Sequence, residues 1–273
     1  MAAKVVLSRL PLNYGLWQRL GLFRHGCMDN TGYARDVFDL HVERAGLAGN
    51  LRGKTVVELG PGDSVATAVV AAAHGAHAIL VDTGAFAKPA AQAYVQVARG
   101  LADEGLKYID MEGCRSLDEV LTVCGARYLT NGLHGLRELS AGSADLIFSQ
   151  AVLEHVRKAE FSTMLAECRR VLKRDGVFSS HIDLQDHLGG ALNNLRFPEW
   201  LWESRFFSAS GFYTNRLRYG ELLKLFRDAG FTVEVTSRSA WDDLPTPLHA
   251  MQPEFRSLPG DDLRVLAFSV VLR

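Results

Sequence analysis

From residue 54 onward, short apolar runs alternate with segments of helical period. That rhythm restricts the chain to a mostly parallel sheet whose strands are joined by crossover helices. The runs that read as strands are Thr55-Val56-Val57-Glu58-Leu59, Ala78-Ile79-Leu80-Val81, Arg127-Tyr128-Leu129, Asp145-Leu146-Ile147-Phe148 and Val177 to Leu184. Phe231 to Val235 and Leu263 to Leu272 follow as a final pair, which suggests a late antiparallel hairpin. Between them lie helical segments: Val65 to Ala73, residues 90–104, a short one near Leu117–Val123, and Tyr219 to Ala229 before Gly230. After the fourth strand, Phe161, Met164, Leu165, Cys168, Val171 and Leu172 repeat at the three-and-four spacing of a buried helical stripe, closed by Asp175-Gly176. The expected fold is α/β: a doubly wound, seven-stranded sheet with an antiparallel last strand.

Two segments fall outside the rhythm. Residues 1–50 read as an N-terminal helical cap on a domain of residues 51–273, with Tyr33, Val37, Phe38, Leu40 and His41 at helical spacing ahead of Gly46. Residues 1–28 carry Lys4, Arg9, Arg19 and Arg24 but no acid, so a targeting or membrane-surface segment competes with the cap. Pro11 and Gly15 interrupt any continuous helix there and favour the cap. Residues 185–218 are rich in aromatic side chains, including Phe197, Trp200, Trp202, Phe206, Phe207, Phe212 and Tyr213. They read as an inserted substrate lid, with Asn215, Arg216 and Arg218 available to anionic groups. A hydrophobic plug or a homodimer surface is the competing reading.

A length of 273 residues suits one large domain with additions. Basic and acidic residues nearly cancel, 30 against 31, so no global positive field would hold a nucleic acid. No apolar run approaches the ~18–20 residues that span a bilayer. The four cysteines, Cys27, Cys114, Cys124 and Cys168, show no CxxC spacing, which fits a reducing cytoplasm better than a disulfide framework.

The chemistry begins at Glu58-Leu59-Gly60-Pro61-Gly62, between the first strand and its helix. Glycine there lets the backbone turn tightly and approach a ligand with no Cβ in the way. The helix that follows offers free N–H groups at its positive end. Asp82, twenty residues past Gly62, closes the second strand, where a carboxylate can accept both hydroxyls of an adenosine ribose. A dinucleotide fingerprint would want glycine at Val65, and Glu58 would repel a pyrophosphate. An acid at the end of the first strand suits the cationic sulfonium and amino end of S-adenosylmethionine (SAM) instead.

These motifs resemble those of the class I SAM-dependent methyltransferases. Val56-Val57-Glu58-Leu59-Gly60-Pro61-Gly62 is similar to their first motif, and Asp82 to their ribose acid. Asp145-Leu146-Ile147-Phe148-Ser149-Gln150-Ala151-Val152-Leu153-Glu154-His155-Val156 is similar to the fourth-strand motif of the branch containing ubiquinone-pathway enzymes. Arg169 to Gly176 resembles the helix and turn before their fifth strand. The resemblance spans roughly residues 50–185 and 219–273. It implies a Rossmann-like methyltransferase sheet and a SAM site built from Glu58, Gly60, Pro61, Gly62, Asp82 and Gln150. The sequence departs from the pattern at Ser64, where a third glycine is common, and after the third strand, where an adenine-contacting acid is absent. Asn131 and the backbone at Gly132-Leu133 would take that acid's place. By the family's usual layout, Met28, Asp29 and Tyr33 would close the pocket from the N-terminal side.

Methyl transfer requires nucleophile, methyl and sulfur in line, and often removal of a proton from the nucleophile. Candidate bases cluster after the fourth strand, at Glu154-His155, and at the end of the fifth, in His181-Ile182-Asp183-Leu184-Gln185-Asp186-His187. His181 and Asp183 share a face of their strand. His155 or His187 would act as base, oriented by a carboxylate; packing and capping is the competing role. Some relatives bind a divalent metal through Glu-x-x-Glu-His. Ala151 replaces the first of those acids here, leaving Glu154, His155 and His181 or His187 as an incomplete set. The expected activity is methylation of a small molecule or glycan, at oxygen. RNA or protein methylation and a non-catalytic SAM-fold partner subunit stay open as alternatives.

Overall fold

The computed structural model describes residues 31–273. The acid-free segment, Cys27, Met28 and Asp29 lie outside the described residues. A single mixed sheet runs in the order β3-β2-β1-β4-β5-β7-β6. Its strands are β1 (Thr55–Leu59), β2 (His77–Val81), β3 (Arg127–Leu129), β4 (Ala144–Gln150), β5 (Leu172–Asp183), β6 (Val233–Ala240) and β7 (Val265–Leu272). Strands β1 to β5 pair in parallel, and β7 lies antiparallel between β5 and β6.

Consecutive residues of the central strands face opposite cores, as a sheet covered on both sides requires. Val56, Leu146, Phe148 and Val177 pack beneath α1 (Thr31–Arg44), α2 (Ala66–Ala73), α3 (Ala91–Asp103) and α4 (Leu117–Cys124). Val57, Ile147 and Phe178 pack on the other face, beneath α5 (Leu133–Arg137), α6 (Lys158–Val171) and the later helix Tyr219–Asp228. The helical stripe foreseen in α6 is buried in full: Phe161, Met164, Leu165, Cys168 and Val171. Helix α4 is short but well terminated. Ser116 and Glu119 form a reciprocal capping box at its start, and Gly125, at φ +60°, closes its end.

Three details depart from the sequence reading. Strand β5 begins at Leu172, before the expected Asp175-Gly176 stop, and its register against β4 shifts between Ala144 and Leu146. Gly176 tolerates this because a Cβ there would lie 2.9 Å from the Ala144 carbonyl oxygen. Strand β6 runs to Ala240 rather than Val235, and all of it after Val233 is exposed. Its polar sequence shows little strand signal; pairing with β7 makes it a strand. Finally, the last two strands are antiparallel but not a tight hairpin, since residues 241–264 intervene.

That excursion seats residues 185–218. Leu192 and Leu195 from residues 185–218 form one small core with Met251, Phe255 and Leu263. Residues 185–218 contain α7 (Glu199–Trp202) and α8 (Arg205–Ser208), followed by α9 (Tyr219–Asp228). Trp202 is fully buried, with Phe212 and Tyr213 and the partly buried Phe197 and Phe207 around it.

Candidate functional site

The turn after β1 has the conformation its glycines suggested: φ is +69° at Gly60 and +67° at Gly62. A Cβ on Gly60 would come within 2.6 Å of Val152, so the loops after β1 and β4 touch where only glycine fits. The Gly62 N–H donates to Asp82 Oδ2 at 3.0 Å, and the Thr83 N–H to Oδ1 at 2.6 Å. The carbonyl of Asp82 accepts from Gly132 N–H at 2.7 Å. Gly60, Gly62, Asp82 and Gly132 therefore line the carboxyl ends of β1, β2 and β3, the edge where open α/β sheets hold ligands. Asn131 is exposed beside them, and Leu133 is partly buried at the start of α5. The Tyr128 hydroxyl, which the sequence did not single out, secures the next loop by donating to the Gly84 carbonyl and accepting from Phe86 N–H.

Glu58 is buried at the end of β1. Burial drives its carboxyl up to about 8; the nearby Thr67 hydroxyl opposes the shift and Asp82 adds to it. Its Oε2 has no hydrogen-bond partner in bonding geometry among the described residues. A buried acid with an unmet oxygen beside a glycine cradle fits a cationic ligand group, and so fits the sulfonium and amino end of SAM.

Beyond β4 the chain turns through Ala151, which holds φ +53°. A non-glycine residue there carries backbone strain of about 1–3 kcal/mol. The carbonyl of His181 pins it by accepting from Ala151 N–H at 2.9 Å. The turn Leu153–His155 follows, clamped by Asn215, whose Nδ2 donates to the Leu153 and Val156 carbonyls at 2.8 and 2.9 Å. His155 is exposed, and its Nδ1 lies 2.8 Å from the Tyr213 carbonyl oxygen. A carbonyl can only accept, so Nδ1 carries the proton and Nε2 the lone pair. The His187 ring stands edge-on to His155, with centroids 4.8 Å apart. The loop carrying His187 is organised by buried Asp186, whose Oδ1 accepts from Leu188 N–H at 2.9 Å and Gly189 N–H at 2.7 Å.

The remaining candidates lie elsewhere. His181 Nδ1 is 3.0 Å from Ser269 Oγ, and burial, reinforced by Arg44, lowers its pKa. Asp183 Oδ1 accepts from Gln185 N–H at 2.9 Å. Glu154 is turned inward and buried; burial pushes its carboxyl up to about 8, with Asp183 adding to the rise. Neither Glu154 oxygen has a partner in bonding geometry among the described residues. Because Glu154 points inside, His155 outside and His181 toward β7, the three do not converge. Among the described residues no group of three or more His, Cys, Asp or Glu is arranged to hold a metal ion. The metal expectation therefore finds no support here.

Arg216 and Arg218 are internal braces rather than exposed anion binders. Arg216 pairs with Glu199 and donates to the Phe197 carbonyl at 2.6 Å. Arg218 donates to the Leu184, Leu263 and Val265 carbonyls at 2.7–2.9 Å. Arg216 thus braces residues 185–218 internally, and Arg218 ties them to the residue after β5, to Leu263 and to the start of β7. Among the described residues no helix is long and apolar enough to cross a membrane.

Residues 57–180 match a family described as a methyltransferase domain. The chain also resembles a SAM-dependent methyltransferase from Archaeoglobus fulgidus, with 11% identity, 95% of this chain and 99% of that one covered, and a TM-score of 0.49. A second likeness is the 1,6-didemethyltoxoflavin-N1-methyltransferase of Burkholderia thailandensis, with 15% identity, 100% and 88% covered, and a TM-score of 0.49. Similarity this distant says nothing about substrate. No curated protein sequence matches the chain.

Proposed function

We propose that the chain, whose residues 57–180 match a methyltransferase domain, is a SAM-dependent enzyme that methylates an oxygen of a small-molecule or glycan acceptor, with His155 as general base. In this reading Glu58, Gly60, Pro61, Gly62, Asp82, Asn131, Gly132, Leu133 and Gln150 hold SAM. The acceptor lies at the carboxyl ends of β4 and β5, under residues 185–218 acting as a lid. SAM supplies an electrophilic methyl on a sulfonium.

The observation that carries the base assignment is the bond from His155 Nδ1–H to the Tyr213 carbonyl. It fixes the tautomer and presents Nε2 as the proton-accepting nitrogen, which is the role a third group plays in orienting a catalytic base. Nε2 of His155 would take the acceptor hydroxyl's proton, leaving that oxygen to receive the methyl that bound SAM would supply. His187, edge-on to His155, adds to the polar surroundings of the base in this reading.

Calorimetry with SAM and with NAD tests the cofactor assignment, and absence of SAM binding overturns it. Labelled SAM incubated with host extract then identifies the chemical class that takes the label; label in RNA or protein overturns the small-molecule reading. His155→Ala is expected to lower kcat by about 10²–10⁴ while leaving the SAM Kd nearly unchanged. A fully active variant would refute the role of His155. SAM binding with no turnover on any fraction would favour a non-catalytic partner subunit.

A further inference from the structure

His41 lies in α1, far in sequence from the glycine loop and both histidine clusters, yet it is fully buried against the sheet. Its ring stacks on Phe148 of β4, with centroids 4.9 Å apart and planes inclined by 28°. Both ring nitrogens are engaged. Nδ1 lies 2.8 Å from Ser179 Oγ of β5, and Nε2 lies 3.1 Å from Gln150 Oε1 at the end of β4. Burial holds the ring neutral, with its pKa lowered to about 4 and Arg44 and His181 opposing protonation. A neutral imidazole has one donor and one acceptor. The amide oxygen of Gln150 can only accept, so Nε2 carries the hydrogen, and the Ser179 hydroxyl must donate to Nδ1. The chain of bonds therefore has one direction: Ser179 O–H to His41 Nδ1, then His41 Nε2–H to Gln150 Oε1.

The consequence falls on Gln150. With its oxygen held toward α1, its two amide N–H donors occupy the other arm of the planar group. Gln150 is the last residue of β4 and only partly buried. The neighbouring pairing Leu59↔Ser149 sets it beside the glycine turn, and strained Ala151 follows it. We infer that His41 is a positioning residue that fixes the Gln150 amide with its NH₂ toward the ligand site, where it donates to a ligand oxygen. That oxygen belongs either to SAM, through its carboxylate or ribose hydroxyls, or to the methyl acceptor. The inference rests on the proposed site in taking Gln150 to face ligand; the buried bond chain stands without it.

Two measurements test it. In the ligand-free protein, ¹⁵N shifts of the His41 ring should report the Nε2–H tautomer; an Nδ1–H tautomer overturns the inference whether or not SAM binds. SAM affinity and label transfer are then compared for His41→Phe, Gln150→Met and the double variant. His41→Phe keeps the ring stack on Phe148 and removes both bonds. Each single variant should weaken SAM binding by about three- to tenfold, the range of one neutral hydrogen bond, and the double variant no further. Unchanged SAM affinity with a matching, non-additive fall in label transfer assigns the oxygen to the acceptor and supports the inference equally. His41→Gln, which restores a donor toward Oε1, should recover most of the loss. Additive effects, or no effect of Gln150→Met on either readout, overturn it. Failure of the wild-type protein to bind SAM would instead strike the cofactor assignment, while the tautomer result still decides the role of His41.

Discussion

Single side chains in this protein are tuned more by what surrounds them than by their own chemistry. Glu58 illustrates it. Its burial raises the carboxyl to about 8, so at neutral pH the ligand-free acid is protonated. A cation brought beside it favours the charged form and lowers that value. SAM binding at pH 7 should therefore release up to about one proton, and affinity should rise between pH 6 and 8. Calorimetry in buffers of different ionisation enthalpy measures the release. A heat of binding independent of buffer would show that Glu58 does not face the cationic end, and Glu58→Gln should abolish the dependence. The tautomers of His155 and His41 follow the same logic: a carbonyl acceptor decides each, and neither can be read from a residue name.

Among the elements, the turn Leu153–His155 depends on a segment some sixty residues later in the chain. Asn215 bonds the Leu153 and Val156 carbonyls through its side chain, and its own N–H donates to the Glu154 carbonyl at 2.7 Å. Asn215→Ala strips one buried and one part-buried carbonyl of their donor, a loss of about 2–3 kcal/mol at such sites. Its expected signature is a lowered Tm together with a lowered kcat, because His155 rides on the freed turn. A variant with reduced Tm but wild-type kcat would show that the turn holds its shape unaided. The sheet's far edge shows a different dependence. Strand β6 is polar and exposed, and the backbone pairing offered by β7 extends it to Ala240.

At the scale of the whole molecule, two buried carboxyls set a pH dependence of stability. Glu58 and Glu154 both bind protons more tightly folded than unfolded, with values moving from 4.5 to about 8. The folded state thus holds more protons, and the stability they contribute is present in full below pH 4.5 and lost as pH rises toward 8. Glu154→Gln removes one of these groups while keeping the shape. Its stability relative to wild type, read from Tm, should grow more favourable from pH 5 to pH 8.5, with the free-energy difference rising by at most about 1.4 kcal/mol per pH unit. Parallel melting curves check this, and a difference that stays flat with pH would place Glu154 in a more polar setting than its burial suggests.

The sequence alone determined the α/β class, the five parallel strands and the resemblance to SAM-dependent methyltransferases. Those rest on local signals: apolar runs of strand length, helical spacing, and glycines where the backbone needs positive φ. It also named Gly60, Gly62, Asp82, His155 and His187 as site candidates, because turn chemistry and residue type are local properties. Tertiary structure decided what depends on contacts between distant segments. His41, Ser179 and Gln150 form one bonded chain only after α1 folds onto β4 and β5. Arg216 and Arg218 look like exposed anion binders in sequence, yet they turn inward to donate to the carbonyls of Phe197, Leu184, Leu263 and Val265, which the packing of residues 185–218 against residues 241–264 brings within reach. Glu154 and His155, adjacent in the chain, point into the interior and into solvent because the turn they occupy is pinned from both sides by Asn215 and by the His155–Tyr213 bond. A sequence states which groups are present, whereas direction, protonation and partner are set by the packing that encloses them.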